Sequence, residues 1–334
     1  MQPRIKLAIS GDLGSDFELT EDFSKVLKGY EIVRAAEISG DVTLAEDVEV
    51  LVRGLEREDP GADDLLETLV NVRWVHSLTA GVEDIVSDRL LQRGVILTNA
   101  AGCYGEAIAE YVLAAIVSMF RGIPDLYSAK LTGSWMAHEL GREVAGSQVG
   151  IVGYGGIGRR VADLARSAGA HVWAVGGDSA QVDGHEDDSA VRVTGPDSLH
   201  AMLKVSDAVV VAVSLNTSSR HMFGEREFAA MKRSAVLINV SRGAVIREEA
   251  LCQALESGSI AGAVLDTTVT EPLPIESKLW SVANLWITPH MAGATRESRA
   301  RGLSLLEWNL SRYGRSSLGE LRNVVNVARE LSGR

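Results

Sequence analysis

Short apolar segments alternate with helix-like segments along most of the chain, and this alternation limits the possible folds more than any other feature. In the first hundred residues KLAIS, YEIVRA, VEVLVRG, VRWVHSL and VILTN have the composition of buried strands. TEDFSKVLKG, PGADDLLETLVN and GVEDIVSDRLLQR lie between them and have apolar residues at helical spacing. Strands that alternate with helices predict a parallel, doubly wound α/β sheet.

A second series of the same kind begins at Gln148 and contains QVGIVG, HVWAV, VRV, DAVVVAV, AVLINV, AGAVLD and LWITP. It predicts a second parallel sheet, and a length of 334 residues suits two domains. The segment AIAEYVLAAIVSMF lies between the two series, and we expect a buried helix there, near residues 106–120. It is too short to span a bilayer and contains Glu110.

The charge and the cysteine content of the chain restrict its partners. The formal net charge is −12, which repels nucleic acids and anionic membrane surfaces, so we expect neither as a partner. Cys103 and Cys252 have no metal-ligand spacing, and no metal site is expected. A disulfide between them remains an alternative to a reduced pair. The N-terminus lacks the apolar run of a signal peptide, so we expect a soluble, cytoplasmic protein.

The glycine-rich segment GIVGYGGIG follows a strand and opens an amphipathic helix. Gly153, Gly155 and Gly158 form the pattern G-x-G-x-x-G. In this context the first glycine permits a tight turn, the second admits a pyrophosphate, and the third lets the helix pack on the strand. The free N–H groups of the helix N-terminus favour an anion. The alternative is a glycine-rich turn without a ligand, but strand and helix together predict dinucleotide binding.

The position that usually distinguishes NAD from NADP is unusual in this chain. An acid that binds the ribose hydroxyls is expected at the end of the next strand, but HVWAV continues into Gly176, Gly177 and Asp178. The acidic sequence SAQVDGHEDD follows and would repel a ribose phosphate. We therefore expect NAD as the cofactor, with NADP not excluded. Asp178 is either a ribose ligand or a solvated loop carboxylate.

Charged residues follow three strands of the second series. Arg242 comes after AVLINV, Asp266 closes AGAVLD with Glu271 five residues later, and His290 comes after LWITP. Ligands of open parallel sheets bind at the carboxyl ends of strands. Hydride transfer to a carbonyl needs a proton donor, for which histidine is suited, and a carboxylate beside the imidazole favours its protonated form. A guanidinium can hold a carboxylate by paired hydrogen bonds.

Several motifs together resemble the D-isomer-specific 2-hydroxyacid dehydrogenase family. They are NVSRGAVI, LDTTVTEPLP and ITPHMAGAT behind GYGGIG, with WVHSLTAGVEDI, ILTNAAGCYGEAIAEYVL and LRNVV elsewhere in the chain. The resemblance implies a Rossmann-type cofactor domain, residues 102–292, inserted into a flavodoxin-like substrate domain, residues 1–101 plus 293–334. It also implies catalysis in the cleft between the domains, and a homodimer whose interface includes the long helix near residues 106–120.

The resemblance further implies a role for individual residues. Arg242 binds the substrate carboxylate and carbonyl, His290 exchanges the proton, and Glu271 pairs with His290. The loop Leu78–Val82 holds the substrate carboxylate on backbone N–H groups, through Ala80, Gly81 and Val82. Asp266 meets the nicotinamide carboxamide. The complete set of expected cofactor contacts is Gly153, Gly155, Gly156, Ile157, Gly158, Asp178, Val240 and Asp266.

Two alternatives to a small 2-keto acid and 2-hydroxy acid as substrates stay open at this point. Phosphite and formate dehydrogenases are similar, although Glu271 disfavours formate because the formate enzymes carry glutamine there. A nucleotide-sensing regulator on the same scaffold can keep the same charged residues. His76 and His138 either line the substrate cleft or have a structural role. Tyr104, Trp135 and Met291 are either pocket residues or packing residues.

Overall fold

A computed structural model describes residues 5–11, 21–55, 62–135, 141–176, 191–313 and 320–332. The chain forms two units, and each is built around its own parallel sheet. The first unit comprises Met1–Tyr104 and Thr295–Arg334, and the second unit comprises Gly105–Ala294.

The sheet of the first unit has five parallel strands in the order β2-β1-β3-β4-β5. This is the flavodoxin-like order. The strands are β1 (Ile5–Ser10), β2 (Tyr30–Arg34), β3 (Val48–Arg53), β4 (Trp74–Ser77) and β5 (Ile96–Thr98). The helices between them are α1 (Glu21–Leu27), α2 (Ala35–Gly40), α3 (Ala62–Thr68) and α4 (Asp88–Gln92).

The sheet of the second unit has seven parallel strands in the order β12-β11-β10-β9-β6-β7-β8. Its strands are β6 (Gln148–Val152), β7 (His171–Val175), β8 (Val191–Thr194), β9 (Ala208–Val211), β10 (Val236–Asn239), β11 (Gly262–Leu265) and β12 (Leu285–Ile287). Its helices are α5 (Gly105–Phe120), α6 (Ile123–Leu131), α7 (Gly156–Ser167), α8 (Leu199–Val205), α9 (Glu225–Ala230) and α10 (Glu248–Glu256). The strand order reverses at β6, which makes this edge of the sheet a switch point at which ligands bind in such folds.

Two helices after β12 complete the first unit: α11 (Arg296–Arg312) and α12 (Val327–Ser332). Side chains alternate between the two faces of a strand, so Leu7 and Ile9 of β1 point away from Ala8. Leu7 and Ile9 pack in a cluster that includes Leu303, Leu306 and Leu310 of α11. The opposite face, with Ala8, packs in a separate cluster that includes Val327 of α12.

The prediction of two doubly wound parallel sheets is confirmed. The expected helix near residues 106–120 corresponds to α5, which has one buried side: Val112 and Ile116 are fully buried, whereas Val117 is 41% exposed. Among the helices of the described ranges, none alone has the length and apolar character to cross a membrane. The pair α5 and α6, bent by 69°, meets those criteria by length and composition only. Cys103 and Cys252 are buried and form no disulfide.

Candidate functional site

The charged residues predicted at strand ends lie along one edge of the second unit's sheet. Strands β10, β11 and β12 are parallel neighbours, so their carboxyl ends face the same way. Arg242 follows the end of β10, Asp266 directly follows β11, and His290 follows β12. The glycine-rich loop leaves the carboxyl end of β6 in the same sheet. The strand directions therefore bring the chemically active groups and the dinucleotide loop to one edge.

The imidazole of His290 lies against the carboxylate of Glu271. Nδ1 of His290 is 2.9 Å from Oε2 and 3.1 Å from Oε1 of Glu271. The His290 side chain is 29% exposed and that of Glu271 is 22% exposed, so the pair is partly shielded from water. The backbone N–H of Thr268 donates to Oε1 of Glu271 at 3.2 Å. With Glu271 ionised, Nδ1 donates to it, and Nε2 is the other ring nitrogen, at which an imidazole can exchange a proton.

His290 occupies a left-handed backbone conformation, with φ of 53°. Side-chain-bearing residues rarely adopt this region, so the surrounding contacts have to hold it. The N–H of His290 lies 2.8 Å from the carbonyl oxygen of Asp266 and 2.9 Å from that of Thr288. These contacts fix the direction in which the imidazole leaves the backbone.

The carboxylate of Asp266 binds the turn that carries His290. It is 3% exposed, and Oδ1 accepts hydrogen bonds from the Thr288 hydroxyl at 2.7 Å and the Met291 N–H at 2.8 Å. Oδ2 accepts from the Ala292 N–H at 3.0 Å. Two carboxylate oxygens offer about four acceptor positions. Three of these positions are occupied by donors from residues 288–292. The expected hydrogen bond from a nicotinamide carboxamide would therefore use the fourth acceptor position.

Arg242 lies in a loop that Asn239 organises. Oδ1 of Asn239 accepts from the N–H and the hydroxyl of Ser241, at 3.1 and 2.7 Å. Nδ2 of Asn239 donates to the carbonyl of Arg242 at 3.2 Å and to the Thr267 hydroxyl at 3.3 Å. A Cβ atom at Gly243 would overlap the carbonyl of Thr268. The loop that carries Arg242 therefore packs directly on the loop that carries Glu271.

The glycine-rich loop has the geometry that a pyrophosphate requires. Gly153 has φ of 100°, and a Cβ there would lie 2.6 Å from the carbonyl oxygen of Ala212. A Cβ at Gly158 would overlap the carbonyl oxygen of Gly153, so the third glycine is needed for α7 to approach β6. At Gly155 and Gly156 a Cβ would meet no atom within 4 Å. The start of α7 is thus open to a ligand, and its first N–H groups have no intrahelical acceptors.

The other residues expected to contact the cofactor lie in or near the segments that follow β6, β7 and β10. Ile157 is in the first turn of α7, and Val240 is buried in the core beneath the sheet edge. Gly176 follows β7, and a Cβ there would lie 3.4 Å from Cβ of Tyr154. The guanidinium of Arg159 stands 4.7 Å from the centre of the Tyr154 ring. Asp178 lies outside the described residues, as does His138.

Hydrogen bonds to its carbonyl groups hold the loop Leu78–Val82 of the first unit. The Thr79 hydroxyl donates to the carbonyl of Gly81 at 2.7 Å, and Nδ2 of Asn99 donates to that of Ala80 at 2.7 Å. Within the described ranges, the N–H groups of Ala80, Gly81 and Val82 donate to no protein acceptor. Three such groups in sequence are a chemically suitable place for an anion.

The remaining aromatic and histidine candidates are scattered. His76 is fully buried on β4, with Nδ1 2.7 Å from the Thr98 hydroxyl, so it packs as part of the first unit's core. The Tyr104 hydroxyl donates to the carbonyl of Leu78. Trp135 is fully exposed, and Met291 is 49% exposed beside His290. Of these, Tyr104 and Met291 adjoin the residues expected to bind substrate.

Sequence reasoning missed the side chains that hold these groups in place. Tyr111 and Thr288 hydrogen-bond to each other at 2.6 Å, and Thr288 bonds to Asp266. Their only signals in the sequence are a phenol in an otherwise apolar helix and a hydroxyl just before Pro289 and His290. In the first unit, the buried guanidinium of Arg53 pairs with Asp84 at 2.5 Å.

The seven-stranded parallel sheet with its glycine-rich loop at the switch point defines a dinucleotide-binding domain. Residues 113–292 match the family model described as D-isomer specific 2-hydroxyacid dehydrogenase, NAD binding domain. The chain belongs to the D-isomer specific 2-hydroxyacid dehydrogenase family. Its members are NAD(P)-dependent dehydrogenases and reductases, and the family resemblance in the sequence is confirmed.

Individual relatives agree with this placement over nearly the whole chain. A glyoxylate reductase of Thermococcus litoralis is 30% identical over 319 residues, which are 93% of this chain and 90% of the relative. An (S)-sulfolactate dehydrogenase of Chromohalobacter salexigens is 32% identical and covers 85% of this chain and 93% of its own. A family member from Xanthobacter autotrophicus, solved with NADPH and MES, superposes with a TM-score of 0.76 at 27% identity, covering 98% and 100% of the two chains.

Proposed function

We propose that this protein interconverts a small 2-keto acid and a D-2-hydroxy acid, with NAD(H) as the redox partner. The observation that carries the proposal is the His290–Glu271 pair, 2.9 Å apart, at the same sheet edge as the glycine-rich loop. In this proposal the second unit, expected as residues 102–292, binds the cofactor. The first unit, expected as residues 1–101 plus 293–334, contributes substrate contacts.

Reduction of the keto acid adds a hydride to its C2 carbon and a proton to its carbonyl oxygen. When bound, the nicotinamide cofactor supplies that hydride. His290 donates the proton from Nε2, and Glu271 at Nδ1 stabilises the imidazolium before the transfer and holds the ring in place. Arg242 polarises the ketone oxygen and stabilises the negative charge that develops on it. Oxidation of the hydroxy acid reverses each of these steps, so His290 then accepts the proton.

The substrate carboxylate is held by two kinds of donor in this proposal. The N–H groups of Ala80, Gly81 and Val82, which donate to no acceptor among the described residues, bind one side of the anion. Arg242 adds a guanidinium, whose planar donors match a carboxylate. A compact acid suits such a set, and the names of two relatives, glyoxylate reductase and (S)-sulfolactate dehydrogenase, also refer to small acids.

NAD remains the preferred cofactor, but NADP is a real competitor. Gly176 offers no carboxylate to repel a 2′-phosphate, and a family member 27% identical to this chain was solved with NADPH. Asp178 and the acids after it favour NAD on grounds of charge. Running every substrate with NADH and with NADPH in parallel separates the two.

The function is tested with a panel of acids and a set of matched variants. The panel contains glyoxylate, hydroxypyruvate, pyruvate and sulfopyruvate for reduction, with formate and phosphite for oxidation. We expect His290→Ala to lose about two to four orders of magnitude in kcat, and Arg242→Ala to lose about two or more. His171→Ala and Arg220→Ala, at exposed positions, are the controls and should keep the activity of the unmodified protein.

Three outcomes would contradict the proposal. Near-normal turnover in His290→Ala or Arg242→Ala would show that the substituted residue does not have the catalytic role assigned to it. Turnover of phosphite or formate with no keto acid reduced would assign a different small anion as substrate. Tight NADH binding with no turnover across the panel would indicate a nucleotide-sensing regulator.

We also propose that the protein is a homodimer that associates through α5 and α6. These helices expose Val117, Ile123, Tyr127 and Leu131, which are 41%, 47%, 58% and 69% exposed. An apolar surface of this kind is typical of a protein interface. Light scattering during size-exclusion chromatography should give twice the mass of the 35.7 kDa chain. A monomer at micromolar concentration would contradict the assignment.

A further inference from the structure

A chain of hydroxyl groups leads from helix α5 to the carboxylate of Asp266. The Tyr111 hydroxyl lies 2.6 Å from Oγ1 of Thr288, and that oxygen lies 2.7 Å from Oδ1 of Asp266. A threonine hydroxyl has a single proton. Because Oδ1 accepts it, Thr288 has to accept from Tyr111, so the phenol is the donor. The chain is therefore directed, from Tyr111 through Thr288 to Asp266.

Asp266, at the end of this series of hydrogen bonds, binds the backbone of His290 and of the two residues after it. The side-chain carboxylate of Asp266 accepts the N–H groups of Met291 and Ala292, and the backbone carbonyl of Asp266 accepts the N–H of His290. His290 has its left-handed φ of 53° within this set of bonds. A carboxylate that rotated away would release two amides of the turn at once. The orientation of Asp266 therefore decides where the imidazole stands.

Tyr111 is well placed to fix that orientation. It projects from α5, whose buried side includes Val112 and Ile116 and packs on the sheet of the second unit. Burial raises the pKa of the Tyr111 phenol to about 12, so it keeps its proton and remains a donor across the working range of an enzyme. The catalytic sequence described above has no use for this phenol.

We propose that Tyr111 and Thr288 are positioning residues for His290, and that they act through the carboxylate of Asp266. The inference rests on the proposed function, in which His290 exchanges the proton. Tyr111 and Thr288 touch neither substrate nor cofactor in that mechanism. Their contribution is to keep the imidazole at the angle and distance that proton transfer needs, a requirement to which rates are steeply sensitive.

The kinetic test removes the two hydroxyls separately and together. Tyr111→Phe deletes only the donor, and Thr288→Val replaces the hydroxyl with a methyl group of similar shape. We expect each to lower kcat about 3- to 10-fold, the scale of one buried hydrogen bond. Thr288→Ser retains the hydroxyl and should restore most of the rate. Because both substitutions interrupt the same series of hydrogen bonds, the double variant should be no slower than the slower single variant.

A second measurement needs neither substrate nor cofactor. Hydrogen–deuterium exchange, followed by mass spectrometry of a peptide that spans residues 288–294, reports the Met291 and Ala292 amides. In Tyr111→Phe and Thr288→Val we expect their exchange to speed up about 3- to 10-fold, because the carboxylate that accepts them is no longer fixed. Thr68→Val is the matched control for Thr288→Val, since this threonine on α3 of the first unit is exposed.

The outcomes separate the inference from the function on which it rests. If His290→Ala loses turnover while Tyr111→Phe and Thr288→Val leave kcat and exchange unchanged, the positioning role is wrong and the function stands. Rate losses that add in the double variant, or that Thr288→Ser fails to rescue, would also overturn it. If His290→Ala keeps its turnover, the proposed function fails, and the positioning role fails with it.

Discussion

The buried histidine of the first unit predicts a specific loss of stability in acid. His76 is fully enclosed on β4, and burial lowers the pKa of its ring from 6.5 to about 3. Nδ1 lies 2.7 Å from the Thr98 hydroxyl, and in the described part of the chain Nε2 has no hydrogen-bond partner. The doubly protonated ring would bury a positive charge and an Nε2–H that has no acceptor among the described residues, which is costly.

The size of the effect follows from the two pKa values. Above about pH 6.5 the ring is neutral in both the folded and the unfolded chain, and folding stability is independent of its titration. Below that pH only the unfolded chain takes up the proton, until the pH reaches about 3. The free energy of unfolding should therefore fall by about 1.4 kcal/mol per pH unit, which is about 2 kcal/mol at pH 5 relative to pH 7. Whole domains are stable by only about 5–15 kcal/mol, so this loss is measurable.

The assay is urea unfolding at half-unit steps from pH 7.5 to pH 4.5, with the substitution His76→Asn. The asparagine amide can retain the bond to Thr98, and it does not titrate. We expect the variant to be less stable at neutral pH, because a smaller side chain leaves a cavity, but to lose about 2 kcal/mol less between pH 7 and pH 5. His171→Asn, at an exposed position, is the control and should follow the pH dependence of the unmodified chain.

Two results would refute this reasoning. If His76→Asn and the unmodified chain have parallel stability curves below pH 6.5, the ring is not protonated differentially, and its burial is not the cause of acid sensitivity. If His171→Asn flattens the curve as much as His76→Asn does, the effect belongs to total charge and not to the enclosed ring.

Two further predictions concern binding and stability. Gly158→Ala places a Cβ against the carbonyl oxygen of Gly153. It should weaken NADH binding, measured by fluorescence titration, by about tenfold or more. Gly195→Ala, where a Cβ meets no atom within 4 Å, should leave binding unchanged. The guanidinium of Arg93 donates to the carbonyls of Leu66, Leu69, Val70 and Val72 at the end of α3. Arg93→Met should lower the free energy of unfolding by about 1–3 kcal/mol in urea titrations, because the four carbonyls lose a charged donor.

The fold class was predictable from the sequence because both sheets are parallel and buried. Such strands appear as short runs of valine, isoleucine and leucine, separated by helices with apolar residues at regular spacing. The glycine spacing and the charged residues at strand ends then identified which edge of the second sheet carries the chemistry. These features are local, so a short stretch of sequence is enough to recognise each of them.

The orientation of Asp266 was not predictable in this way. An acid at a strand end can point to a ligand or to a neighbouring turn, and the sequence near Asp266 is the same in both cases. The deciding partners are Thr288, Met291 and Ala292, and Tyr111 is 177 residues away from Thr288. Such contacts exist only once the sheet is assembled.

His76 illustrates a second limit. Alternation along a strand usually separates a buried face from an exposed one. In β4 all four residues, Trp74 to Ser77, are buried. The two-residue alternation of buried and exposed side chains is therefore absent from this strand and gives no information on the surroundings of the histidine. Its partner Thr98 comes from the adjacent strand, β5, and is revealed only by the strand register.

The interrupted first unit has a consequence for how the protein is made. Leu303, Leu306 and Leu310 of α11 cover Leu7 and Trp74, but the ribosome synthesises residues 105–294 before it reaches them. Until α11 has been synthesised, one apolar face of the first sheet remains uncovered. The second unit can already fold during this time. Once folded, the second unit is a compact connection between residues 1–104 and residues 295–334, where an unfolded segment would be long and flexible. The entropy cost of bringing these two segments together is therefore lower. Nascent chains stalled before residue 296 should therefore be the ones that aggregate or recruit chaperones.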